Sequence, residues 1–317
     1  MNKLEKAAHI IVHTCLKIKK SEAVLVVTDE QLYDIGHLLW HTASKVTTNA
    51  ALLEIKWSRK KDAEPPSTVC GAMLLADVLL LATSRSLSHT QARRKACRRG
   101  ARVVTMPDIT ADTMRRAVDI DYRENARRSR ILADILTIGQ EAHLTTPAGT
   151  NAYFPIAGKK GYADTGLVHE PGSFSNLPAG ESCVGPSEGK SHGRVVIERG
   201  MANFATRDDS IIFDVKDGHV QRIKGGDGAE QLRRLLSKFG PKARNIAELG
   251  IGTNPKARIV GCTLEDEKTR GTAHVAVGNS ISFGGKVDVP VHLDGILLQP
   301  TLTVDSKVII DNGQLIV

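Results

Sequence analysis

From residue 22 to residue 107, short apolar runs alternate with amphipathic stretches. "EAVLVVTDE" (residues 22–30), "NAALLEIKW" (49–57), "ADVLLLATS" (76–84) and "ARVVTMP" (101–107) read as strands, while "QLYDIGHLLWHTASKV" (31–46) and "TQARRKACRRG" (90–100) carry helical spacing. Continuous apolar runs separated by helices predict parallel strands covered on both faces. The expected fold class is therefore an N-terminal doubly wound α/β domain, in which ligands meet the carboxyl ends of the strands. Ahead of it, Leu4, Ala8, Ile11, Cys15 and Ile18 recur at helical spacing and predict a packing helix. One long helix near residues 112–136 is expected to lead out of the domain. Beyond it the pattern changes to short strands dense in Gly, Pro, Ser and Thr, such as "AHLTTPAGTNAYFPI", "GRVVIERG" and "SIIFDVKDGHV", with one helix, "GAEQLRRLLSKFG". This half reads as a β-rich α+β domain. The expected division is residues 1–137 and 138–317.

Composition narrows the classes. The chain has 317 residues, 41% hydrophobic and 25% charged, as expected of a globular protein. Aromatic residues make up 4%, which argues against nucleic-acid recognition by base stacking. The formal charge of +8 is concentrated in residues 91–102 and 114–130, which read as solvated helix faces. The five cysteines are scattered without C-x-x-C spacing, which fits a reducing compartment and no cysteine-type zinc site. No stretch has the length and apolarity of a membrane span, and the expected location is the cytoplasm. A G-x-G-x-x-G after the first strand and a G-x-x-x-x-G-K-[ST] are both missing, so dinucleotide and P-loop sites have no support. The loop "SRSLSHTQAR" (84–93) lies at a strand's carboxyl end; it offers Ser88 or Thr90 as a helix cap and His89 as a candidate substrate contact.

The chemistry is concentrated in "GTAHVAVGNSISFGGKVDVPVHLDG" (271–295), two valine-rich runs around a glycine turn. Residues two apart on a strand share a face, so His292 and Asp294 point together while Val291 and Leu293 point away. His274 shares its face with Ala276 and Gly278, which leave room beside it. Imidazole and carboxylate together suit zinc, manganese, cobalt or iron. Two further acids sit in sequence that reads as buried: Glu248 in "AELGIGTNP" and Glu181 in "SNLPAGESCVGP". A buried carboxylate is costly unless paired, and a metal ion would pair both. The alternative is a pair of structural acids bonded to loop backbone. Glu267, in "LEDEK", reads as part of a solvated charged loop, with general base as a weaker alternative.

"NLPAGE", "AELGIGTNP", "LEDEKTRGTAHVAVG" and "VHLDG", in that order, resemble the motifs of the aminopeptidase T/PepS-type metalloaminopeptidase superfamily, and "SLSHTQAR…GARVVTMP" resembles its shorter members. The superfamily also includes iron-dependent 2,5-dihydroxypyridine dioxygenases. The resemblance implies metal ligands at Glu181, Glu248, His274, His292 and Asp294, two divalent ions, and a homodimer. The chain departs from the peptidases in one place. The compact "GNSISFGGKVDVP" replaces a longer insertion, with Ser280 and Ile281 where those enzymes carry a tyrosine, so Ser280 is a candidate substrate contact.

The expected function is a cytoplasmic metalloprotease of aminopeptidase type. In this reading zinc, cobalt or manganese ions activate a water that releases N-terminal residues, and Glu181 or Glu248 bridges the ions or accepts a proton. The alternative is a mononuclear Fe(II) ring-cleaving dioxygenase using His274, His292 and Asp294. A basic binding protein without catalysis is the third reading, disfavoured by the few aromatics and the complete donor set. The expected partner is a peptide or small-molecule substrate, not nucleic acid or membrane.

Overall fold

The structure, a computed structural model, describes residues 1–57, 64–206 and 208–317. Its contacts divide the chain into two compact units, Met1–Arg123 with Thr165–Ala179, and Glu124–Asp164 with Gly180–Val317.

The first unit holds a parallel sheet. Strands run in the order Ala50–Ile55, Val24–Asp29, Val78–Ala82, Arg102–Thr105 and Phe174–Asn176. The inner strands Val24–Asp29, Val78–Ala82 and Arg102–Thr105 are buried along their whole length, as continuous apolar runs in a covered parallel sheet should be. The fifth strand is supplied by the returning segment, beyond residue 137 where the first domain was expected to end. Thr90 is the cap of the Gln91–Arg98 helix, accepting from the Arg93 amide. An unforeseen helix, Ser67–Met73, buries Val69 and Met73.

The N-terminal helix begins at Asn2, whose side chain accepts from Leu4 and Glu5 amides while Glu5 returns a bond to the Asn2 amide. It widens into a π turn, Ile11–Cys15, which buries Val12 beside Ile11 and Cys15. The single long helix expected near residues 112–136 is two helices, Ala111–Ala117 and Tyr122–Ile138. Asp121 accepts a bond from the Arg123 amide and so starts the second instead of continuing the first.

Two residues of the basic runs are not solvated. Arg93 donates through Nε to the Ser88 carbonyl and lies 4.1 Å above the Phe174 ring. Arg102 donates to both carboxylate oxygens of Glu22, at 2.8 and 2.7 Å, and to the carbonyls of Leu16 and Val168. Removing one partner of a buried pair leaves the other charge uncompensated. Arg102→Leu is therefore expected to cost about 3 kcal/mol in urea unfolding. A change under about 0.5 kcal/mol would show that the pair contributes no more than a surface bridge.

The second unit is β-rich. One antiparallel sheet has eight strands and another has six. The six run Arg199–Gly200, His292–Leu297, Ala273–Gly278, Ile246–Gly252, Glu181–Val184, Gly161–Asp164. Leu144, Phe154, Val195 and Phe213 from the first sheet meet Val184, Leu249, Ile251, Val275 and Val277 from the second in one core. Each strand of the second sheet thus spends alternate positions on that core and is free to carry polar residues on its other face. Among the described residues no helix is long and apolar enough to cross a membrane.

Candidate metal centre

Register assembles the site. Across the six-stranded sheet, Glu181 pairs with Gly252, Cys183 with Gly250, and Gly250 with His274. Glu248 pairs with Ala276, Ala276 with Asp294, and Gly278 with His292. Paired residues share a face. Glu181, Glu248, His274, His292 and Asp294 therefore lie on one face, interleaved with Gly250, Ala276 and Gly278. The opposite face is the core just described.

A bulge makes this alignment possible. Ile246 pairs with Val277 and Glu248 with Ala276, so the register shifts between them. In a regular strand these two residues would share a face; the extra residue lets Ile246 enter the core while Glu248 joins the polar face.

The side chains converge. His274 Nε2 is 3.4 Å from Glu181 Oε2 and 3.6 Å from Glu248 Oε1. His292 Nε2 is 3.0 Å from Glu248 Oε2 and 3.3 Å from Asp294 Oδ1. His292 Nδ1 donates to the Asn279 carbonyl at 2.8 Å, which turns Nε2 toward the carboxylates. Burial alone would raise the Glu248 carboxyl, but hydrogen bonds and charge from His274 and His292 hold it well below the usual range. Burial likewise opposes charge on the imidazoles. The neighbouring carboxylates overcome it, pushing His274 up to about 9 and His292 well above its ordinary value.

The donor set fits a divalent metal. Among the described residues two groups can each offer three ligand atoms within 4.8 Å of one another: Glu181, Glu248 and His274, and Glu248, His292 and Asp294. Glu181 Oε2 and His274 Nδ1 are buried without a hydrogen-bond partner. The His274 ring lies across Gly250, where a Cβ would come within 2.0 Å of Nε2, so the glycine leaves the space that the imidazole fills.

Two neighbours, Lys268 and Asp164, escaped the sequence reading, and a third, Glu267, reads there as part of a solvated loop. Lys268 is wholly buried, with Nζ 2.7 Å from Glu181 Oε1 and 2.8 Å from Glu267 Oε1. Glu267 is consequently no solvated loop residue; burial first, then the charges of Asp294 and Glu181, raise its carboxyl to about 8 against the pull of Lys268. Asp164, paired in register with Glu181, is the third carboxylate around the lysine, at 3.6 Å. Lysine in "LEDEK" carries no periodic apolar signal of its own, so charge sent the whole motif to solvent. Cys183 also shares the polar face, but burial, then Glu248 and Glu181, keep its thiol from ionising.

The structure brings neither candidate substrate contact into the donor cluster. The Ser280 hydroxyl donates to Glu188 Oε1 at 2.9 Å and accepts from the Val287 amide, holding the compact loop in shape. His89 is exposed in the first unit. An aromatic wall does adjoin the site: the Phe283 ring is 5.3 Å from the His292 ring and meets Tyr162 edge-on at 6.3 Å.

Comparison with known proteins decides the family. The family model described as NicX, 2,5-dihydroxypyridine 5,6-dioxygenase, matches residues 14–317. This chain belongs to the NicX family. A 2,5-dihydroxypyridine 5,6-dioxygenase of Pseudomonas putida KT2440 is 23% identical over 255 residues, 75% of this chain and 71% of that one. The structure of a 2,5-dihydroxypyridine dioxygenase from the same organism superposes with a TM-score of 0.85 at 18% identity, covering 100% of this chain and 98% of that one. AmpT from Thermus thermophilus gives 0.72 at 17% identity, covering 99% of each chain. The superfamily resemblance holds.

The expected activity does not. The reading as a hydrolase, aminopeptidase and protease is corrected by the NicX match over nearly the whole chain and by the P. putida relative; the likeness to AmpT extends to the fold alone. The physical marker was already in the chain. A NicX member with Ser280 and Ile281 after the Ala273–Gly278 strand lacks the tyrosine and insertion that the peptidase reading required.

Proposed function

We propose that the protein is a mononuclear Fe(II) dioxygenase that opens the ring of a 2,5-dihydroxypyridine-like aromatic with O₂. The observation that carries this reading is the set His274, His292 and Asp294 on one sheet face, a two-imidazole, one-carboxylate donor set of the kind used by non-haem iron oxygenases, in a chain of the NicX family. When bound, the iron supplies the redox chemistry with O₂ that no side chain here can provide. Glu248, between the two imidazoles, orients both. Glu181 presents Oε2 to the cluster and accepts the proton of a substrate hydroxyl there. Phe283 and Tyr162 give the flat ring an apolar surface to lie against and help keep water from it. The β-rich second domain carries this centre, and His89 and Ser280 remain candidate substrate contacts. A small aromatic and O₂ are the partners, with no nucleic acid or membrane, in a cytoplasmic homodimer.

The test is oxygen uptake. Protein reconstituted with Fe(II) without air should consume about one O₂ per 2,5-dihydroxypyridine, with loss of the ring's ultraviolet absorbance. Cleavage of aminoacyl substrates with no oxygen uptake would sink the proposal.

A further inference from the structure

Lys268 is a cation built into the acid cluster. Its side chain is 0% exposed, and Nζ faces Glu181 Oε1 at 2.7 Å, Glu267 Oε1 at 2.8 Å and Asp164 Oδ2 at 3.6 Å. Glu181 is therefore divided between two neighbours: Oε1 faces the ammonium, while Oε2 faces His274. The two groups able to hold an ion overlap at Glu248, and Glu181 belongs to the first alone. An ion in that group would bring two positive charges to a carboxylate already engaged by one, in a buried place where screening by water is weak. The ion pairs of Lys268 run to Glu181, Glu267 and Asp164, none of which is in the second group.

We propose that Lys268 stands in the place of a second metal ion: it engages Glu181 and restricts the cluster to one divalent ion, held by Glu248, His292 and Asp294 and reached by His274, whose Nε2 lies 3.6 Å from Glu248 Oε1. Lys268 is thus a positioning residue that sets the nuclearity of the centre, and through it the chemistry open to the fold. Two adjacent ions suit hydrolysis by a metal-activated water, whereas one ion with open positions suits oxygen chemistry. The inference deepens the mononuclear reading above and rests on it.

Metal stoichiometry tests it without recourse to activity. Chelated, full-length protein is titrated with Mn(II) or Zn(II) by calorimetry, and ions retained after gel filtration are counted by elemental analysis. Wild type and Lys268→Arg should hold one ion per chain. Lys268→Met should hold two, and Lys268→Met/Glu181→Gln should return to one. If circular dichroism shows Lys268→Met unfolded, Lys268→Met/Glu267→Gln removes one charge of each sign, and two ions are expected for it. Two ions in the wild type, or one in both Lys268→Met and Lys268→Met/Glu267→Gln, overturns the proposal. Oxygen uptake by the wild type, read in parallel, separates the two ideas. Wild-type uptake with one ion in both Lys268→Met and Lys268→Met/Glu267→Gln removes the role of Lys268 alone. A gained second ion without any wild-type uptake removes the dioxygenase reading alone.

Discussion

His292→Ala is expected to abolish oxygen uptake and metal retention while leaving the fold intact. His292 is fixed at both ring nitrogens, with Nδ1 donating to Asn279 and Nε2 between Glu248 and Asp294. Loss of a group that merely orients a ligand costs about 10–100-fold in metal affinity, so loss of the ligand itself should cost at least about 100-fold. The structural cost is smaller. The Asn279 carbonyl loses a donor, worth about 1–3 kcal/mol, and the core face of the same sheet is untouched. Elemental analysis, oxygen uptake and far-ultraviolet circular dichroism on one preparation check all three statements. Full metal content and full uptake in this variant would remove His292 from the centre.

The second large effect is expected where there is no side chain at all. Gly250→Ala adds one methyl group 2.0 Å from His274 Nε2, 2.2 Å from Cε1 and 2.7 Å from Cδ2. Gly250 lies within a regular antiparallel pairing, so alanine meets no backbone penalty there and the damage falls on the imidazole. His274 must leave its position. Overpacking of this kind costs about 1–3 kcal/mol, and metal affinity should fall about 100-fold with the displaced ring. The two losses separate in Gly250→Ala/His274→Ala, which removes the clash but not the defect. That double variant should regain thermal stability relative to Gly250→Ala and still fail to retain metal. Gly250→Ala with wild-type metal affinity would show that His274 is no ligand.

The parallel sheet was legible because its strands are apolar on both faces, a signal that needs no knowledge of partners. The polar face of the second sheet was legible for a related reason: His274, His292 and Asp294 interrupt valine-rich runs at positions two apart. The rest depended on register. Nothing in "NIAELGIG" marks the bulge that turns Glu248 away from the Ile246 face, since a bulge is a relation between strands. Phe174–Asn176 is three residues long and lies among Gly, Ser and Pro, too short for periodicity to reveal a strand. Lys268 and Glu267 looked solvated because charge usually is, and only folding shows them buried together beside Glu181 and Asp164. The choice of chemistry failed because a set of imidazoles and carboxylates suits hydrolysis and oxygen chemistry alike, and the marker lay instead in the compact loop after Gly278.

The returning strand also sets an order of events. The edge formed by Arg102–Thr105 is paired only when Phe174–Asn176 arrives, after residues 124–164 of the other unit have been made. A ribosome delivering this protein from its N-terminus therefore exposes a parallel sheet with an open side for tens of residues. Closing it is a long-range contact, slow by the measure of loop entropy. The sheet of the first unit is completed only after residues 124–164 of the second have been made, and until then its open edge is exposed to wrong pairing.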